Sequence, residues 1–315
     1  MSADNNGAEE EEILRCASCG GVGGDNVKLR NCSACHLVRY CGVKCQKEHR
    51  PKHKKECRKR AAELRDELLF KQPESSHLGD CPICLIPLPL SLSKSIMMGC
   101  CSKMICDGCN LANKRRELEG SLQQSCPFCR NPSPRSQVEC DRIMMKRVGA
   151  NDPAALRQVG TKRNLRGDYN GAIENWTRAA ELGDVVAHFE LAWSYKEGEG
   201  VEKDGKKEVY HLEQAAIGGH PEARCRLGVL EFNNGRYDRA IRHWIIAAHL
   251  GDDNSMEKVK NFQGGLVSKE DFASTLRAHH AAVDAMKSPQ REEAEADVEY
   301  CEFRQNRTRS ESSKQ

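Results

Sequence analysis

CASCGGVGGDNVKLRNCSACHLVRYCGVKCQKEHRPKHKKEC, residues Cys16 to Cys57, sets seven cysteines and a histidine at short, regular steps. The ligand pairs are Cys16-x2-Cys19, Cys32-x2-Cys35, Cys41-x3-Cys45 and His53-x3-Cys57. Thiolates and imidazoles at these spacings match structural zinc sites, which close around four ligands and keep no open position. Eight donors make two such sites. His49 sits one helical turn before His53 and is read as a neighbour of the site, because the ligand count is complete without it.

Further along, the same arithmetic recurs in Cys81-Pro82-Ile83-Cys84, Cys100-Cys101, Cys106-x2-Cys109 and Cys126-Pro127-Phe128-Cys129-Arg130. Of the 18 cysteines, only Cys140, Cys225 and Cys301 fall outside the two clusters. In a reducing compartment such density means metal rather than disulfides. Cys225 reads as a core residue of a helix, and neither Cys140 nor Cys301 has an identifiable histidine partner.

The rest of the composition excludes more than it assigns. At 315 residues, with 38% hydrophobic and 5% aromatic, the chain predicts several modest modules rather than one large core. No apolar run approaches the ~20 residues of a membrane helix, and the opening Met1 to Glu12 is acidic, so the expectation is an intracellular protein of cytoplasm, nucleus or both, without a membrane partner. Lys plus Arg number 49 against 46 Asp plus Glu, which gives no general case for nucleic acid. The run Lys44 to Arg60 holds nine Lys or Arg against two Glu, but no aromatics interleave to stack bases, and a solvated finger helix is the preferred reading.

From Pro153 to about Met286 the chain repeats itself. Ala179-Ala180, Ala215-Ala216 and Ala247-Ala248 recur with Gly183, Gly219 and Gly251, while Trp176, Leu212, Trp244 and Leu276 hold one equivalent place. Each unit predicts two amphipathic helices, the second closing in Ala-Ala-x-x-Gly, where the alanines allow close contact and the glycine suits a left-handed cap. Trp176, Trp193 and Trp244 are expected in the core.

Three resemblances organise these readings. Cys16 to Cys57, with Tyr40-Cys41 and Cys45-Gln46, resembles the MYND finger; the resemblance implies an interleaved pairing, Cys16, Cys19, Cys41 and Cys45 on one ion and Cys32, Cys35, His53 and Cys57 on the other, and a peptide ligand. Residues 81 to 130 resemble an all-cysteine RING finger. Cross-bracing then implies Cys81, Cys84, Cys106 and Cys109 on one ion and Cys100, Cys101, Cys126 and Cys129 on the other, with Lys103 where most RINGs carry a ligand histidine. The repeats, with the turn Gly198 to Asp204, resemble the Sel-like repeat, a relative of the tetratricopeptide repeat.

The expected fold is therefore two small cross-braced zinc modules followed by an all-α helical-repeat solenoid. Its boundaries are a disordered segment 1–15, a finger 16–57, a helical linker 58–80, a RING-like module 81–130, a linker 131–152, repeats 153–287 and a disordered tail 288–315. Four Zn2+ ions are expected. By the RING resemblance Ile83 and Pro127 help form a groove for a ubiquitin-conjugating enzyme, and Arg130 bridges that enzyme to ubiquitin. This implies a ubiquitin-protein ligase acting on protein substrates without a covalent intermediate. A non-catalytic zinc-binding scaffold or transcriptional co-regulator stays open beside it.

Overall fold

The computed structural model describes residues 14–24 and 27–302. Residues 1–13 of the expected N-terminal disorder and 303–315 of the expected tail lie outside them. The chain divides into two compact units that meet between Lys71 and Gln72.

In the first unit, strands β1 (Arg30–Asn31) and β2 (Arg39–Tyr40) pair antiparallel, and helix α1 (Val43–Leu69) follows. The helix spans the end of the finger and most of the expected linker as one element. Cys45, His49, His53 and Cys57 recur every fourth residue along it and so lie in one row. Its apolar content is too low to order the helix by burial alone, since His53 and Leu69 are its buried residues. Cys16, Cys32, Cys35 and Tyr40 form the buried cluster, so metal ligands are most of this core.

The second unit begins with another cysteine module. A hairpin of β3 (Ser95–Met97) and β4 (Met104–Cys106) leads into helix α2 (Asp107–Glu119). Cys81, Leu88, Ile96, Ile105, Cys106 and Cys109 pack together as its core. Helix α3 (Gln137–Gly149) then occupies most of the expected linker 131–152. Its start is a variant of the capping box: Ser136 Oγ accepts the Glu139 N–H at 3.2 Å, and Glu139 reaches one residue further back to accept the Arg135 N–H at 3.0 Å.

The repeats are helices α4 (Pro153–Leu165), α5 (Tyr169–Glu181), α6 (Val185–Glu197), α7 (Gly205–Ile217), α8 (Pro221–Asn233), α9 (Tyr237–Ala248), α10 (Asp253–Asn261) and α11 (Lys269–Ala285). They pack as antiparallel pairs, α4 with α5, α6 with α7 and α8 with α9. A half-unit punctuation of sixteen residues sets them. Gly167, Gly183 and Gly251 stand at positive φ, and the aspartate after each caps the next helix through its side chain. Each cap contributes about 1 kcal/mol. In the longer step, Gly198 and Gly200 take positive φ and Asp204 caps α7.

Between paired helices the contact is a glycine under a tryptophan. Trp176 lies against Gly160 and donates Nε1–H to the Arg157 carbonyl at 3.3 Å; Trp244 lies against Gly228 and donates to the Cys225 carbonyl at 3.2 Å. A β-carbon on Gly228 would fall 2.3 Å from Trp244 Nε1. Alanine in a helix normally gains about 0.5–1 kcal/mol over glycine, but overpacking costs about 1–3 kcal/mol. Gly228→Ala is therefore expected to destabilise the repeats, read as a lower urea midpoint followed by tryptophan fluorescence. Trp193 departs from the expectation of a core residue. It is 39% exposed, with the Arg226 guanidinium 4.2 Å and the Lys196 ammonium 4.5 Å from its ring.

The tail from Ser288 also departs from expectation. Residues 289–296 form helix α12 (Pro289–Ala296), capped by Ser288, which packs along α2. It lacks an apolar stripe, and its docking relies instead on Ala294 and Tyr300 against Leu111, Tyr300 Oη donating to Asp107, and Arg115 pairing with Glu293 and Asp297.

Candidate metal centres

The sixteen donors gather into four quartets, each with its ligand atoms within 4.8 Å of one another. In the first unit Cys16, Cys19, Cys41 and Cys45 form one, and Cys32, Cys35, His53 and Cys57 the other; in the second unit they are Cys81, Cys84, Cys106 and Cys109, and Cys100, Cys101, Cys126 and Cys129. Each quartet takes one ligand pair from early and one from late in its module, so the two sites of a module interleave.

The spacing of the sulfurs tests zinc directly. Four thiolates at ~2.3 Å from a tetrahedral ion stand about 3.8 Å apart. The Sγ–Sγ separations are 3.7 Å for Cys19–Cys41, 3.8 Å for Cys32–Cys57, 3.8 Å for Cys84–Cys106 and 3.9 Å for Cys101–Cys126. The Cys41–Cys45 and Cys100–Cys129 pairs are tighter at 3.4 Å and 3.3 Å. His53 presents Nε2 to Cys35 Sγ at 3.1 Å, which leaves that nitrogen free to face an ion in the neutral tautomer that puts the proton on Nδ1.

Proton energetics point the same way. In every quartet one thiol is drawn down while others are pushed up. The Cys19 backbone N–H draws Cys16 down to about 6, and the Cys106 thiol draws Cys81 down to about 4. At Cys32 burial acts upward, but the N–H groups of Ala34 and Cys35 outweigh it and hold the thiol at about 6. At the half-buried Cys129 desolvation also acts upward, yet the Asn131 N–H and Cys100 bring it to about 7. Their neighbours rise. The bond to Cys45 lifts Cys41 to about 12, and burial lifts Cys57 to about 11, Cys101 to about 11 and Cys109 to about 12. Four crowded donors resist a second negative charge, and a divalent cation removes that resistance. The quartets are compatible with zinc, and these sixteen residues would hold it.

The adjacent ligands Cys100 and Cys101 are made feasible by the hairpin tip. Met98 O accepts both the Cys101 N–H at 3.3 Å and the Ser102 N–H at 2.8 Å, and Ser102 takes φ 53°. That tight turn lets consecutive side chains enter one quartet, while Lys103 points into solvent. His49 belongs to no quartet: its Nδ1 meets Tyr40 Oη at 3.1 Å and its ring stacks on His53 at 5.7 Å, so it steadies a ligand.

Of the three further residues singled out in the second module, Ile83 is 41% exposed, Arg130 is exposed and Pro127 is buried. Arg130 Nη1 donates to Asn113 Oδ1 at 3.0 Å, and Asn113 is in turn bonded to Glu117 and the Ser125 carbonyl. Phe128, which no cysteine spacing singles out, is 42% exposed between the last two ligands. Two arginines from outside the module also reach it. Arg147 of α3 donates to the Cys100 carbonyl and Ser102 Oγ, and Arg291 of α12 reaches Cys84.

Residues 8–57 match the family model of the MYND finger. Residues 154–184, 185–220 and 221–252 match that of the Sel1 repeat. Zinc-binding modules thus precede an all-helical repeat region, and both matched families are protein-interaction modules, which makes other proteins the partners of this chain. Among solved structures, a Sel1 repeat protein from Oxalobacter formigenes is 25% identical over 56% of this chain and 72% of its own, with a TM-score of 0.41. The protective antigen c5321 of uropathogenic Escherichia coli, which displays an SLR fold, is 25% identical over 46% of this chain and 33% of its own, with a TM-score of 0.38. No curated protein matches the chain.

Proposed function

We propose that the second cysteine module is a RING-type ubiquitin-protein ligase acting inside the cell, in cytoplasm or nucleus, on protein substrates gathered by the repeats and the finger. The observation that carries this reading is the surface of its two zinc knuckles. Ile83 and Phe128, one on each knuckle, expose apolar side chains, and Arg130 beside the last ligand is at the surface with its guanidinium steadied by Asn113. Exposed apolar residues on a scaffold this small and rigid suit a protein partner. Here the partner would be a ubiquitin-conjugating enzyme charged with a ubiquitin thioester.

In that role the chain forms no covalent intermediate. The module would hold enzyme and ubiquitin together, and the planar fork of Arg130 would bond carbonyl oxygens on both, restricting the thioester to a geometry open to a substrate lysine. Pro127, being buried, would shape the knuckle beneath Phe128. In the finger, the cavity that takes in the quartet donors Cys32, His53 and Cys57 continues past them to Tyr40, Gln46, Arg50 and Arg58, and that outer part would be the place for a peptide ligand once zinc fills the inner part.

The test is autoubiquitination with a panel of conjugating enzymes on protein carrying its zinc. Chains are expected from the wild type and a loss of tenfold or more in Ile83→Ala and Arg130→Ala at unchanged zinc content, since both residues lie outside the quartets. Full activity in both variants would remove the reading. No chains from the wild type across the panel would favour the non-catalytic scaffold, which could use the same exposed surface.

A further inference from the structure

Arg291 stands in the first turn of α12, at the far end of the chain from the cysteine module, yet its guanidinium lies within that module. Nη1 donates to the carbonyls of Pro87 and Met286, each at 2.6 Å; Nη2 donates to the Ile86 carbonyl at 3.0 Å and to Cys84 Sγ at 3.6 Å. The residue is 5% exposed. An arginine is rarely buried so deeply without a charge partner, because desolvating it is costly. The partners bonded here are three carbonyls and a cysteine sulfur.

The thiolates of a zinc-loaded quartet would supply the missing charge balance. Four thiolates around Zn2+ carry a net charge of −2, and Cys81, Cys106 and Cys109 are buried, so little water reaches that charge. We infer that Arg291 is a positioning residue of the Cys81, Cys84, Cys106 and Cys109 site. It offsets the negative charge of the loaded quartet and, through Ile86 and Pro87, fixes the loop that carries Cys84. Its neighbours in α12 hold the helix independently: Gly108 lets the backbone of Gln290 approach so closely that a β-carbon would fall 2.8 Å from it, Tyr300 Oη bonds Asp107 and Asn110 at 2.8 Å, and Arg115 pairs with Glu293 and Asp297. The inference rests on zinc filling that quartet and is independent of any ligase activity.

The experiment follows zinc release from the full-length, zinc-loaded chain into a chromophoric chelator, and the visible spectrum of the cobalt-substituted protein. Wild type should release four ions. In Arg291→Met one of the four is expected to leave about 10- to 100-fold faster, the range typical for loss of an outer partner of a metal ligand, with the other three unchanged. The thiolate-to-cobalt charge-transfer band should shift. Arg291→Lys, which keeps the charge and loses the fork, should fall between the two. The pair Glu293→Gln with Asp297→Asn loosens α12 without touching sulfur and should release zinc as wild type does.

Unchanged release and an unchanged cobalt spectrum in Arg291→Met would overturn the inference. So would equal effects of Arg291→Met and the Glu293/Asp297 pair on both readouts, which would make Arg291 an anchor of the helix alone. If Arg291→Met fails to fold, Arg291→Lys decides by itself: wild-type release with a wild-type cobalt spectrum refutes the role. Fewer than four ions in the wild type would point to the zinc reading of a quartet as the failure.

Discussion

Stripping zinc from the chain at neutral pH is expected to unfold both cysteine modules and leave the helical repeats standing. In the finger, three of the four residues in the buried cluster are ligands, and in the second module three of six are. Leu88, Ile96, Ile105 and Leu111 are the buried aliphatics of the latter, too few to order some fifty residues of backbone by burial alone. A structural zinc site contributes its binding energy directly to folding, so the metal is what orders these modules. The repeats hold their own clusters around Trp176 and Trp244. All three tryptophans lie in the repeats, so their fluorescence reports on that region alone. A chelator should abolish the modules' share of helical circular dichroism, α1 above all, while the urea midpoint by tryptophan fluorescence shifts by far less. Collapse of the tryptophan signal together with zinc loss would show that the repeats depend on the metal.

Cysteine spacing and repeat period carry most of what the sequence discloses. Ligand pairs such as Cys16-x2-Cys19 fix geometry over three residues, and Ala-Ala-x-x-Gly marks a helix end, so both are local signals. The unread features are long-range or polar. Helix α12 docks through Arg291, Tyr300 and ion pairs to Arg115, none of which leaves a hydrophobic period. The glycine beneath each tryptophan is sixteen residues upstream, Gly160 for Trp176 and Gly228 for Trp244, and only the paired recurrence could have exposed it. In the middle unit Leu212 takes the tryptophan's place. Helix α3 was signalled by Ser136 and Glu139, a capping box overshadowed by the prolines before it. His220 replaces a capping aspartate and caps α8 at 3.3 Å through Nδ1, while its ring stacks on His77 at 4.1 Å. Burial holds His77 down at about 4, so that stack is of neutral rings, and it ties the segment before the second module to the repeats.

Zinc affinity at the Cys100, Cys101, Cys126 and Cys129 quartet is expected to rise steeply with pH. Burial pushes Cys100 upward and Cys101 up to about 11, so at pH 6 to 8 both hold protons in the metal-free protein. Zinc binds the thiolates and must expel those protons. Those two displaced protons by themselves give about a hundredfold in affinity per pH unit, or about ten-thousandfold from pH 6 to 8. The sign follows from the metal-free state holding more protons than the loaded one: acid favours the empty site. Because both raised values lie above 8, the dependence does not level off in that window. Cys129, held at about 7, adds a third proton only below pH 7, so the slope steepens at the acid end. Since zinc affinity here is folding energy, this quartet should let the module melt as pH falls while the repeats persist. Competition with a chelator of known pH dependence, alongside the proton count from calorimetry in buffers of different ionisation enthalpy, measures both quantities. An affinity flat between pH 6 and 8 would mean that the thiols are already ionised before the metal arrives, and that the adjacent cysteines are shielded by a charge not accounted for in this arrangement.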